Sequence, residues 1–291
     1  MRLDVSLAGV LAVTGTLAHS LANGRCGVPP PTEVQILATK ELAAHEADAR
    51  SPMGLRPSSN SSMVNINIYN HIIAYNETVE GAYINASPAS IVDEQIRLLN
   101  EIYPKYGFAF TVSSTDWYIN ASWAGLEDFD TMMDMKRALR KGSYADINIY
   151  TVPMESGLLG IAAPPMDNVT EGSSDWIFDG VIIATGSLPG GSLVNYNMGW
   201  TAVHEIGHWL GLWHTFQGGC KGDGDFIDDT PAEAIASSGC PIGRNTCPDR
   251  PGVDPIHNFM DYSFDSCYNE FTPGQAVRMK SSWQRYRAPA T

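Results

Sequence analysis

Alternation of apolar and polar residues opens the globular part of the chain at Met63, where MVNINIY reads as a half-buried strand. Ile91, Ile96, Leu98, Leu99 and Ile102 recur at helical spacing over 89–103, and Pro104 and Gly107 end that helix. FAFTV at 108–112 predicts a strand, 127–140 a helix and DINIY at 146–150 another strand. LLGIA at 158–162 and VIIA at 181–184 are apolar runs of strand length. Further helices are predicted around 199–210 and over about 274–286. Between 215 and 270, glycine, aspartate, proline and cysteine replace periodicity, so this stretch is expected to be irregular and held by cross-links. The pattern is that of an α+β fold with its strands early and its irregular structure late.

The residues before Met63 follow a different logic. Arg2 precedes an apolar run from Val5 to Ala18, and small residues at Ser20 and Ala22 follow. That is the layout of a secretory signal peptide over 1–22, too short for a membrane span. Residues 23–62, rich in Pro, Ser, Ala and charge, read as a propeptide or linker with one short helix around Glu33–Ala49. N-x-S/T sequons at Asn60, Asn76, Asn85, Asn120 and Asn168 agree with export. All lie between 60 and 168, so glycans would cover one half and leave the working surface on the other.

Composition narrows the function classes. With 18 basic and 32 acidic residues the formal charge is −14, which disfavours nucleic acid and anionic membranes as partners. The chain has five cysteines, an odd number for an exported protein. Cys220, Cys240, Cys247 and Cys267 cluster and are expected to form disulfides, with three pairings open. Cys26 stands apart, within Arg25-Cys26-Gly27-Val28-Pro29.

The chemistry is concentrated in His204-Glu205-Ile206-Gly207-His208-Trp209-Leu210-Gly211-Leu212-Trp213-His214. His204 and His208 stand four apart, so both project from one helical face and can bind one metal ion. Glu205, about 100° round the helix, can reach a metal-bound water without being a ligand. His214 would point away if the helix continued; Gly211 can take a positive φ, end the helix and turn His214 back. Three neutral imidazoles with one position left for water make a catalytic zinc site. An apolar core helix that carried three histidines by chance would bury polar groups without partners.

The elongated motif resembles that of the metzincin metalloproteases, which also need a methionine turn. His257-Asn258-Phe259-Met260-Asp261-Tyr262 supplies it, with Met260 as the apolar floor and Tyr262 as the tyrosine that can swing to the metal or the oxyanion. Within metzincins the chain is similar to the pappalysin group, on His214-Thr215-Phe216, Asp228-Asp229-Thr230-Pro231 and Asn258–Tyr262. The similarity spans roughly 63–287 and is strongest from 199 to 275.

The resemblance implies a secreted zinc endopeptidase acting on proteins or peptides, with Glu205 as general base and Tyr262 assisting. It implies a catalytic domain over 63–291 divided near 211, with a twisted mixed sheet, backing and active-site helices, and a disulfide-bridged C-terminal subdomain. It further implies bridges Cys220–Cys247 and Cys240–Cys267, and a structural calcium on Asp225, Asp228 and the Thr230 carbonyl. Cys26 would be a cysteine switch, and Leu158–Ala162 the edge that pairs with substrate. Some relatives favour arginine on the primed side through an aspartate at the position of Ser266; Asp265 lies one residue earlier here. The chain is expected to be a monomer without a membrane anchor. The rival expectation is a secreted binding module, stabilised by zinc and calcium, that does not catalyse.

Overall fold

A computed structural model describes residues 25–50, 63–76, 88–154 and 157–289. The leader expected over 1–22 and the sequons at Asn60 and Asn85 fall outside them. Five strands form one sheet: β1 (Val64–Ala74), β2 (Phe108–Ile119), β3 (Ile147–Val152), β4 (Gly160–Ala162) and β5 (Val181–Ala184), in the order β2-β1-β3-β5-β4. All pairs are parallel except β4 with β5, so an antiparallel strand lies at one edge.

Strands β3 and β5 are buried along their whole length, which is why INIYTV and VIIA read as apolar or neutral runs. Side chains of one sheet face, among them Ile66, Ile68, Ile147 and Ile149, join the larger core cluster with Leu99, Val203, Ile206 and Met260. The other face sends Ile73, Tyr150, Val152 and Ile182 against Met132, Met135 and Leu139. Helices therefore cover both faces, in three layers.

Helix α1 (Glu33–Arg50) precedes the sheet; α2 (Pro88–Ile102), α3 (Ala121–Gly125), α4 (Phe129–Leu139) and α5 (Ser174–Phe178) follow within it. Asp128 caps α4 by accepting from Thr131 N at 2.7 Å. Helix α6 (Trp200–Trp209) is buried from Thr201 to Trp209 and runs beneath the edge strand. Helix α2 holds α6 in place: Tyr103, just past its end, donates to Val203 O at 2.8 Å, and Gln95 donates to Gly199 O at 3.0 Å.

Two elements outrun the sequence pattern. β1 continues to Ala74 and β2 to Ile119, well past FAFTV. The hydroxyl-rich SSTD stretch stays extended because its backbone pairs in register with β1 to Ala74↔Ile119, after a shift at Ile68/Tyr69. Tertiary pairing overrides weak strand propensity there.

After α6 the described chain has no helix or strand until α7 (Pro273–Ser282), apart from a short turn at Asp265–Cys267. Bridges Cys220–Cys247 and Cys240–Cys267 interleave across this stretch, with Cα separations of 5.4 and 5.5 Å. Thr272 and Gln275 form a capping box that starts α7. A wider turn, Trp283–Arg287, replaces the end of the helix predicted to 286. Its Arg287 donates to Trp209 O and Asp179, stacking 3.7 Å over the Trp209 ring and fastening the chain end to α6.

Candidate active site

Helix α6 carries His204 and His208 on one face. The Nδ1 atom of His204 lies 2.6 Å from Phe259 O, and that of His208 lies 2.8 Å from Leu212 O. A carbonyl only accepts, so both Nδ1 atoms carry the proton and both Nε2 atoms present lone pairs. Gly211, at φ 93°, ends the helical path; a Cβ there would sit 2.3 Å from Ser282 Oγ. The chain turns back and brings His214 in, so that His208 Nε2 is 3.1 Å from His204 Nε2 and 3.0 Å from His214 Nε2.

Burial pushes His204 down to about 4, and burial, then the neighbouring rings, holds His208 and His214 well below the usual imidazole range. Two neutral imidazoles whose Nε2 lone pairs face the neutral His214 ring fit one divalent cation.

Glu205, 1% exposed, lies beside this centre, and burial raises its carboxyl to about 8. A Cβ on Gly160 would stand 2.5 Å from Glu205 Oε1, so β4 needs glycine for the carboxylate to reach the centre. Met260 is fully buried below, and a Cβ on Gly207 would meet its Sδ at 2.5 Å. The turn around it is set by Asn258, whose side chain accepts from Met260 N at 2.9 Å. Met260 O in turn accepts from Thr215 N at 3.2 Å. The Tyr262 ring stands 4.9 Å from the His214 ring, and burial, then the charges of Cys26 and Glu205, keep its hydroxyl protonated.

The segment around Cys26 crosses this centre. It runs parallel to β4: Leu159 N donates to Arg25 O at 2.7 Å and Gly27 N to Gly160 O at 2.9 Å. The Cys26 Sγ and the three histidine nitrogens lie within 4.8 Å of one another. The thiol also donates to Glu205 Oε2 at 3.4 Å. Burial first, then the Glu205 charge, pushes the thiol up.

Arg25 lines the adjoining cavity, 4.2 Å over the Tyr196 ring, donating to Tyr262 O and, at 3.2 Å, to Ser238 Oγ. Asp265 is buried in the same wall, where its Oδ2 accepts from Met198 N at 2.8 Å. Burial raises it to about 6. Arg25 and Gly160 lie within segments legible in the sequence but carried no role of their own there, and Tyr196 and Ser238 were not singled out. The first was visible as the neighbour of Cys26; the others come from loops and an edge without periodicity.

The acidic loop lies some way off, against α1 and α7. Asp225 is 3% exposed and accepts from Ile227 N through Oδ1 at 3.1 Å. The Thr230 hydroxyl lies near enough to ease its charge, yet neither Asp225 Oδ2 nor Thr230 Oγ1 closes a hydrogen bond within the described residues. Burial raises Asp225 to about 8. Asp228 lines the same groove, whereas Asp229 is engaged at the start of α7, accepting from Thr272 Oγ1 at 2.7 Å and Gly274 N at 2.8 Å.

Of the sequons within the described residues, Asn76 and Asn168 are exposed, and Asn120 caps α3 through its Oδ1. That bond leaves the amide nitrogen, the atom a glycan would use, outside the cap.

The three-layer α+β domain, in which three imidazoles converge beside a buried glutamate, has the layout of the metzincin class of zinc metalloproteases. A family profile described as pregnancy-associated plasma protein-A matches residues 160–284. The chain is 45% identical to an extracellular metalloprotease of Neurospora crassa over 289 residues, covering 99% of this chain and 97% of that protein. It is 43% identical to one of Podospora anserina over 298 residues, covering both fully. The structure also resembles mature mirolysin of Tannerella forsythia in complex with a cleaved peptide. That likeness has a TM-score of 0.62 at 26% identity, over 76% of this chain and 91% of mirolysin. A promirolysin variant shares the fold at TM-score 0.67 and 24% identity, over 87% of this chain and 89% of the other.

The chain belongs to the pappalysin family of extracellular metalloproteases, and is a secreted zinc metalloendopeptidase acting on protein substrates. No helix among the described residues is long and apolar enough to cross a membrane.

Proposed function

We propose that His204, His208 and His214 hold the catalytic zinc, that Glu205 is the general base, and that Cys26 keeps the protein latent. The observation that carries this reading is the convergence of three imidazole Nε2 atoms and one thiol on a point beside a buried carboxylate. Held by His204, His208 and His214, zinc would supply Lewis acidity and lower the pKa of a water to about 7. A cation held by the three histidines would favour the ionised form of Glu205 against the upward push of burial, and the carboxylate then takes a proton from the attacking water and passes it to the leaving amine. The Tyr262 hydroxyl, which donates to Cys26 O at 3.4 Å, becomes free to stabilise the tetrahedral oxyanion once that segment is removed. The Met260 thioether supports the ligand helix without competing for the metal.

Residues 23–62 act as the prosegment and 63–291 as the catalytic domain, whose irregular part from 212 supplies the primed wall. Arg25–Gly27 occupies the edge of β4, where an extended substrate would pair through its main chain. A thiolate facing zinc is stabilised by the cation, which reverses the upward push that burial gives the thiol in the protein alone. Arg25 in the adjoining pocket supports a preference for a basic side chain beside the scissile bond. Tyr196 and Ser238 would be its partners, because Asp265 is tied to backbone amides.

Asp225, Asp228 and the Thr230 carbonyl would hold a structural calcium. A buried carboxylate with an oxygen that closes no hydrogen bond is the kind of ligand a hard cation completes.

The test is cleavage of denatured casein by the secreted chain after proteolysis between 51 and 62 and removal of the released segment. Activity that a zinc chelator abolishes and added zinc restores supports the reading; cleavage indifferent to the chelator overturns it.

A further inference from the structure

Two of the three histidines have their second ring nitrogen fixed by a backbone carbonyl, and the third does not. Within the described residues, His214 Nδ1 has no hydrogen-bond partner, while His204 and His208 use theirs on Phe259 and Leu212. His214 also lies beyond the helix, on irregular chain, where no helical backbone sets its direction.

Tyr262 and His208 meet the His214 ring edge-on, and among the described residues the one ring stacked flat on its face is Phe216. The bond from Gln217 N to His214 O, 3.0 Å, closes a turn that folds Phe216 back over its predecessor. The two rings stack with centroids 4.7 Å apart and planes at 11°. Phe216 also meets the Tyr262 ring at 4.9 Å and 67°, so it touches the third ligand and the proposed oxyanion donor together.

We propose that Phe216 is a positioning residue for the zinc centre: stacking replaces, for His214, the hydrogen bond that orients the other two ligands. The proposal rests on the assignment of the three histidines as zinc ligands. Phe216 is only half-buried and belongs to neither hydrophobic core cluster, so its placement is not explained by core packing. Coordination draws electron density out of the imidazole, and an aromatic face stacks on such a ring more favourably than an aliphatic side chain does. Loss of a group that orients a ligand typically lowers metal affinity about 10–100-fold.

The experiment uses the full secreted chain and three variants, Phe216→Ala, Phe216→Leu and Phe216→Tyr. Zinc affinity is read by competition with a chromogenic chelator, and thermal unfolding is followed on the zinc-free proteins. Ala and Leu are expected to lose zinc affinity about tenfold or more, with Tyr within about threefold of the parent and all four zinc-free proteins unfolding together. Cobalt-loaded Ala and Leu variants should also show a shifted visible band while Tyr does not.

A Leu variant that holds zinc like the parent would overturn the proposal, since apolar bulk would then suffice. So would an Ala variant whose only change is lower zinc-free stability. If the parent chain binds no zinc, the ligand assignment itself has failed, and that outcome is distinct because it appears before any variant is compared.

Discussion

Gly207 lies between His204 and His208, the two helical ligands of the proposed zinc site, and its missing side chain makes room for Met260. Replacing it with alanine sets two effects against each other. Alanine in a helix interior is favoured over glycine by about 1 kcal/mol. The new Cβ, however, would stand 2.5 Å from Met260 Sδ and 3.4 Å from both Met260 Cε and Phe271 Cε1, and Met260 is fully buried. Overpacking a fixed core site costs about 1–3 kcal/mol. The net expectation for Gly207→Ala is a loss of about 0–2 kcal/mol together with weakened zinc retention, because His204 and His208 flank the displaced turn.

A double-mutant cycle isolates the contact. Met260→Ala alone should cost about 2–5 kcal/mol through the cavity it leaves. In the double variant the new methyl enters that space, so the clash disappears and the propensity gain remains. The two changes should then be non-additive by about 1–3 kcal/mol in the favourable direction. Urea unfolding of the four proteins with zinc bound, and again without it, gives the cycle. If Gly207→Ala is more stable than the parent by about 1 kcal/mol with zinc retention unchanged, the reasoning is refuted. Additivity within about 0.5 kcal/mol would refute it equally.

Other expectations follow from the prosegment and the acidic loop. Cys26→Ala should show activity before the 51–62 link is cut, read with a casein assay on the intact chain; full latency in that variant would remove the thiol from the inhibitory role. Glu46, buried on α1, accepts from Arg278 Nε at 2.9 Å and from its Nη2 at 3.0 Å, so Glu46→Gln leaves a buried guanidinium without its counter-charge. Breaking such a pair costs about 3–5 kcal/mol, and the cleaved prosegment should dissociate from the catalytic domain far faster, as gel filtration after nicking would record. Asp225 has a folded pKa of about 8 against an ordinary value of 3.8, so the folded state holds the extra proton between those values. Stability without calcium should therefore fall as pH rises from about 4 to 8, and added calcium should flatten that slope; a calcium-independent slope would argue against the site.

Helix α6 was legible because its information is local: a four-residue spacing fixes a helical face, and a glycine seven residues after His204 marks where the chain can turn. Met260 and Tyr262 needed the motif beside them to gain meaning, since a buried methionine in an apolar stretch is ordinary core. The extensions of β1 to Ala74 and β2 to Ile119 were not legible, because pairing between strands rather than side-chain pattern keeps SSTDWYI extended. Helix α5, five residues long, is too short to show a period. The pocket around Arg25 joins residues from 25, 196, 238 and 262, whose proximity exists only once the irregular region is folded. The stack of Phe216 on His214 was hidden inside a visible motif, because spacing alone does not tell a ring that packs from one that orients.

The central claim is that Glu205 performs proton transfer at a zinc held by His204, His208 and His214. The most direct measurement compares wild type and Glu205→Ala, each freed of residues 23–62, for bound zinc and for casein cleavage. One zinc per chain is expected in both proteins and cleavage by wild type alone, with the variant down by at least about a hundredfold. Wild-type cleavage rates in Glu205→Ala, or a wild-type protein that cuts without zinc, would contradict it.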